Sequence, residues 1–186
     1  MSITKPTKEK ISSISSTLRS YRVYHRYLGL VLALFIVVSS VTGILLGWKK
    51  NVDLLQPPVV KGATTDLQQW IPLAQMAEVS VAALDSAQGI RNNAIDRIEA
   101  RPDKGMVKVL FSEGYWEVQL DGSTGQVLSV ARRHSDWIEK VHDGSIVSDF
   151  FKLTTMNVLG LGLLVLTVTG VCLWFFPRKI RKLKNE

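Results

Sequence analysis

Three histidines, His25, His134 and His142, are the only imidazoles in the chain, and imidazole is the side chain here best suited to ligating a metal or a haem iron. His25 stands three residues before a long apolar run. On a helix turning about 100° per residue, Gly43 shares the face of His25 about five turns on, and Gly29 lies about 40° from that face, one turn away. An imidazole with glycine one turn above it leaves a flat gap in which a porphyrin could lie against backbone. The other reading is an interfacial histidine among Arg22, Tyr24, Arg26 and Tyr27, and spacing leaves both open. His142 belongs to an amphipathic segment in which Trp137, Ile138 and Val141 share one face up to a break at Gly144. His134 follows Arg132 and Arg133 and reads as a solvated surface residue. The single cysteine, Cys172, cannot form a disulfide within the chain, and no Cys-x-x-Cys pair is present for zinc, iron–sulfur or covalent haem. No Ser-His-Asp order, zinc ligand set, phosphate-cradling glycine loop or paired acid–base carboxylates appear. The run Asp121–Gly125 is too short for an EF-hand and reads as a turn.

The elements that position these residues follow from where the apolar side chains gather. Leu28–Trp48 and Leu153–Phe176 carry no charge, and at about 1.5 Å per residue they reach about 32 and 36 Å, enough for a hydrocarbon layer of about 30 Å. The first run is longer than a signal-peptide core and is followed by Trp48-Lys49-Lys50 instead of a small-residue cleavage site, so it reads as a retained anchor. A soluble monomer and a disordered chain are both excluded.

The chain of 186 residues has a net charge of +7, and its distribution matters more than its size. Lys5, Lys8, Lys10, Arg19, Arg22 and Arg26 precede the first span against Glu9, while Arg178, Lys179, Arg181, Lys182 and Lys184 follow the second against Glu186. The intervening segment is net acidic. Basic residues crowding the ends of spans mark the cytoplasmic side, which puts both termini inside and the middle outside. The basic tails are therefore a topology signal, and no nucleic-acid partner is expected.

Between the spans, Gln56-Pro57-Pro58 and Lys61-Gly62 read as a linker leaving the membrane. Asp66 caps a first turn, and Leu73, Met76, Ala77, Val79, Ser80 and Leu84 keep a helical period until Gly89. Three or four short strands follow (Ile95–Ala100, Met106–Phe111, Tyr115–Leu120, Gln126–Ala131), separated by glycine turns, which makes an antiparallel meander with the helix on one face. Ile11, Ile14 and Leu18 allow a short amphipathic helix in the first tail, with a frayed tail as the alternative. Lys152 is expected to snorkel at the edge of the second span. Asn157 is expected to hydrogen-bond to the first span. Gly160, Gly162 and Gly170, with Ser39, Ser40, Thr42 and Gly43, let the two backbones approach closely.

Tyr115-Trp116-Glu117-Val118-Gln119-Leu120-Asp121-Gly122-Ser123-Thr124-Gly125-Gln126-Val127-Leu128 resembles the closing hairpin of a PepSY domain. His25–Leu30, Val41–Leu45, Val141–Ser145 and Thr169–Trp174 resemble the helices of PepSY-associated transmembrane proteins, so the likeness runs over residues 20–178. The expected fold is an α-helical membrane protein of two transmembrane helices with a small periplasmic α+β PepSY-like domain. Its parts are a cytoplasmic basic tail (1–22), a first transmembrane helix (23–48), a linker (49–65), the PepSY-like domain (66–133), an interfacial segment (134–150), a second transmembrane helix (151–176) and a second basic tail (177–186). Members that act as ferric-siderophore reductases bind b-type haem through histidines in their spans. The resemblance therefore implies haem b on His25 and His142 with Gly29 and Gly43 beside it, electrons entering near His25 and leaving near His142. It also implies a place in the bacterial inner membrane and a link to reducing ferric chelates in iron acquisition.

The better understood members carry four or so spans. With two, and with His25 and His142 near opposite faces of the bilayer, each iron needs a second ligand from a homodimer, a larger membrane complex or, for His142, from His134. An accessory or regulatory subunit whose middle domain binds a partner is the alternative, and inhibition of a periplasmic protease is a third reading.

Overall fold

The computed structural model describes residues 5–91 and 93–185; the first four residues of the basic tail and the closing Glu186 lie outside the described residues. The chain forms two units, one made of Met1–Val41 with Val141–Glu186 and the other of Thr42–Lys140.

The first unit is a pair of long helices. In a lipid interior every backbone N–H and C=O must be paired within its own segment, so an apolar, charge-free run becomes helix. Helix α1 covers Lys5–Trp48, and α4 covers Asp149–Asn185. The first tail is therefore neither a separate amphipathic helix nor frayed over its described part: it continues the first span without a break, and α4 likewise runs on through Pro177 into the second basic tail. The reason is a shared periodicity. Leu18 and Leu32 on α1 are 4% and 3% exposed, and His25 and Ser39, at the same seven-residue interval, are half-buried. On α4, Gly162 and Thr169 are buried at the same interval, with Leu159 between their rows. A repeat of seven is the seam of a left-handed helix pair.

Small residues set the approach of the two helices. A side chain at Gly162 would run into Leu32, and one at Gly170 would meet the His25 ring, whereas Gly160 faces open space. One polar expectation is corrected here. Asn157 donates to Leu153 O of its own helix at 2.8 Å, satisfying itself in the preceding turn instead of reaching the first span. The Lys152 ammonium pairs with Asp143 at 2.6 Å.

The second unit holds a four-stranded antiparallel meander in the order β1 (Ile95–Arg101), β2 (Met106–Phe111), β3 (Trp116–Asp121), β4 (Val127–Arg132). Val107 pairs with Leu120 and Val109 with Val118, so alternate side chains point the same way. Helix α2 (Leu73–Gln88) presents Met76 and Leu84 to that face, closing a core with Val107, Val109, Phe111, Trp116, Val118 and Leu120. Burying such side chains stabilises the fold by about 1.5–3 kcal/mol each. Asp66 caps a short 3₁₀ turn at Leu67–Gln69 by accepting from Gln68 N, and α2 ends at Gly89 in the left-handed conformation (φ 67°).

The opposite face of the sheet is covered as well. The strands β2 and β3 are buried along their whole length. The segment 51–65, expected to be a linker, folds onto this face: Val60 N donates to Gln119 Oε1 at 3.0 Å, Gln119 Nε2 donates to Pro58 O at 2.9 Å, and Ala63 N donates to Asp121 Oδ2. Gly62 passes so close to Gly105 that neither position has room for a side chain. Helix α3 (His134–Asp143) starts beside it, with Ser135 N donating to Leu55 O at 2.7 Å.

Candidate functional site

His25 sits in the seam of the helix pair, where the heptad places a half-buried position. Its Nδ1 lies 2.8 Å from Thr169 Oγ1. The Thr169 hydroxyl also bonds to Val165 O at 2.8 Å and Leu166 O at 3.1 Å. A hydroxyl has one hydrogen and can give it to one of these three partners; given back along α4, it leaves the oxygen to accept from Nδ1–H of His25 and the lone pair on Nε2. The ring's Cε1 edge lies against Gly170, where any Cβ would be at 3.4 Å. Gly29, one turn along α1, faces Leu166. Thr169 and Gly170 were not singled out for this role from sequence; the signal that reaches Thr169 is its seven-residue interval from Gly162.

Gly43 is half-buried two and a half heptads further along α1. His142 is half-buried in the last turn of α3, and its carbonyl accepts from Ser39 Oγ at 3.4 Å. Ser39 lies two heptads beyond His25, about 21 Å along the axis. The turn that brings His142 there is made by Gly144 (φ 81°), against which the Phe151 ring packs. His134 is exposed and opens the same helix. It stands about 12 Å of helical rise from His142. Among the described residues, no group of three or more His, Cys, Asp or Glu is placed to hold a metal ion.

The sheet module carries a second polar cluster on the face of the sheet turned away from α2. Lys108 is 1% exposed and donates to Glu117 Oε1 at 2.8 Å. Gln119 Nε2 donates to the same oxygen at 2.7 Å, and Arg133 reaches Glu117 Oε2 at 3.2 Å and Asp136 at 3.1 Å. Glu99 joins from β1 at 3.7 Å from Arg133. Burial pushes the Glu99 carboxyl up, but the hydrogen bonds from Arg97 and Arg101 and the charge of Arg133 hold it below the usual range. This cluster holds β1, β2, β3 and the start of α3 in register. Each charge has its counter-charge inside the cluster, which marks it as a structural ionic core.

A family model described as the PepSY-associated TM region matches residues 22–185. No curated protein matches the chain. The match begins three residues before His25 and runs through both helices and the sheet module between them.

Proposed function

The chain belongs to the PepSY-associated TM region family, and on that premise we propose that it is a b-type haem electron carrier of the bacterial inner membrane, serving the reduction of ferric chelates. The observation that carries the reading is the His25–Thr169 contact at 2.8 Å. Histidines that ligate metals have their other ring N–H held by a fixed acceptor, which sets the tautomer and ring orientation and raises the basicity of the free nitrogen. Thr169 supplies that acceptor, and Gly170 with Gly29 keeps the surroundings of the ring low. The residues fit one axial position. They do not fit two within one chain, because the described His142 backbone lies about 21 Å along α1 from His25. A second copy supplies the missing imidazole, giving a homodimer in which the two His25 rings face each other.

Haem, when bound, would supply a one-electron ferric–ferrous couple. The chain's own residues divide the remaining work. His25 Nε2 offers the lone pair, Thr169 fixes the proton on Nδ1, and Leu32 and Leu166 dry the seam beside them. The basic residues of both tails favour cytoplasmic termini, with the sheet module on the periplasmic side.

The test is an absorption spectrum of the full chain in detergent after expression with added haem. A Soret band in the wild type, lost in His25→Ala, is expected. Thr169→Val should keep the band and raise the midpoint potential, since a less basic imidazole stabilises the ferric state less, and Thr169→Ser should restore it. A colourless wild type, or a band unchanged in His25→Ala, overturns the reading, and a colourless chain that co-purifies with a larger complex would favour a docking subunit.

A further inference from the structure

The sheet module has a cavity of about 240 Å³ that lies beside the ionic cluster and shares Lys108 with it. Lys50, Arg101, Lys104 and Lys108 line it, against one carboxylate, Asp103. Asp103 serves Lys104 at 3.6 Å, Arg101 leans on Glu99 at 3.4 Å, and Lys108 is held by Glu117 from behind. Lys50 makes no ion pair among the described residues. Three cations thus have their carboxylate partners at the edge of the cavity or behind it, while the fourth is uncompensated, so the wall presents positive charge to whatever enters. A second, independent observation comes from Gln56, also in the lining: its side-chain Oε1 is buried and meets no donor. A buried acceptor without a donor keeps its desolvation cost, so native structures fill such positions with a donor.

A lone inorganic anion would satisfy the cations and leave Gln56 as it is. The lining calls for a molecule that joins an oxyanion to a hydroxyl. We propose that this cavity binds a polyol phosphate of the glycerophosphate type, its phosphate between Arg101, Lys50 and Lys108 and a hydroxyl donating to Gln56 Oε1. Arginine grips such oxygens in pairs, and lysines add point charge. Two sources share this chemistry: soluble glycerol phosphate and the headgroup of phosphatidylglycerol. Lys50 stands two residues after Trp48, the last residue of α1, which puts the mouth within reach of a headgroup. The proposal stands apart from the haem reading, since no histidine takes part.

The experiment uses the full chain without added haem. Binding of glycerol 3-phosphate is measured by calorimetry in detergent, and phosphatidylglycerol retained through purification is counted by mass spectrometry against phosphatidylcholine. The variants are Lys50→Gln alone and combined with Arg101→Gln, Gln56→Leu, and Lys61→Gln as a control outside the cavity whose charge change equals that of Lys50→Gln. The expected result is at least a tenfold weakening, or a matching loss of retained lipid, in the double variant. A smaller loss is expected in Gln56→Leu and none in Lys61→Gln. Binding of glycerol 3-phosphate with no lipid enrichment identifies the soluble source, and lipid enrichment identifies the headgroup. No binding in either arm overturns the proposal, as does an equal loss in Lys61→Gln, which would reduce the effect to diffuse surface charge.

Discussion

In the sheet module, Met76, Val107, Val109, Val118 and Leu120 are fully sealed from solvent, whereas among the described hydrophobic residues of the helix pair only Leu18, Leu32 and Leu159 approach that state, and Leu30, Leu34, Ile44 and Leu161 are more than 60% exposed. The same residue types serve two solvents. The module gains its stability by removing apolar surface from water. The helices keep theirs outward because a lipid interior gives no reason to hide it, so what pairs them is close fit at small residues. Polar groups divide the same way. The module can bury Lys108, Glu117 and Arg133 together because it brings opposite charges to one place. In the seam of the helices the polar contacts include an imidazole–hydroxyl bond and a serine hydroxyl on a carbonyl.

The comparison breaks most easily at Glu117. Replacing it by alanine leaves Lys108 buried without its counter-charge, with an expected loss of about 3–5 kcal/mol. Urea unfolding of the full chain in detergent, followed by tryptophan fluorescence, should show the module's midpoint falling while helix content persists. If both fell together, the two units would not be energetically distinct. A smaller effect separates two glycines of one helix. Gly162→Leu overfills the notch occupied by Leu32, at about 1–3 kcal/mol, whereas Gly160→Leu meets nothing. Spin labels at Thr17 and Lys179 should report a widened distance distribution for the first variant and an unchanged one for the second; equal widening would deny that fit pairs the helices.

The smallest effect concerns pH. Burial would raise the Asp121 carboxyl, but the amides of Thr124, Ala63 and Ser123 and the Ser123 hydroxyl hold it well below the carboxylate range. A group depressed in the folded state contributes above its unfolded pKa of about 3.9 and loses that contribution as pH falls through the folded value. The module's melting temperature should therefore drop below about pH 4, and Asp121→Asn, less stable by about 1 kcal/mol at neutral pH, should show a shallower drop. An identical acid profile in that variant would remove the role given to this carboxylate.

Much of this was legible in the residues. Charge-free runs gave the two spans, glycine turns gave the meander, Asp66 capped a short first turn, and Gly89 ended the helix that follows. The family resemblance read over residues 20–178 agrees with the match over 22–185. The second face of the sheet was not legible, because Lys108, Glu117 and Gln119 alternate like any solvated strand face. Their burial depends on residues 51–65, whose prolines describe an extended chain but not where it lies. At His25, composition placed an imidazole at the edge of a span, but its tautomer depends on Thr169, far away in sequence on the returning helix.

The seam begins before the lipid does. Leu18 is sealed at a point on α1 flanked by Arg19 and Arg22, ten residues ahead of the charge-free run, where water can drive association as it cannot deeper in. Zippering that starts at this end sets the phase of everything above it: a slip of one helical turn there would carry the imidazole of residue 25 past its threonine and leave the ring without that mate.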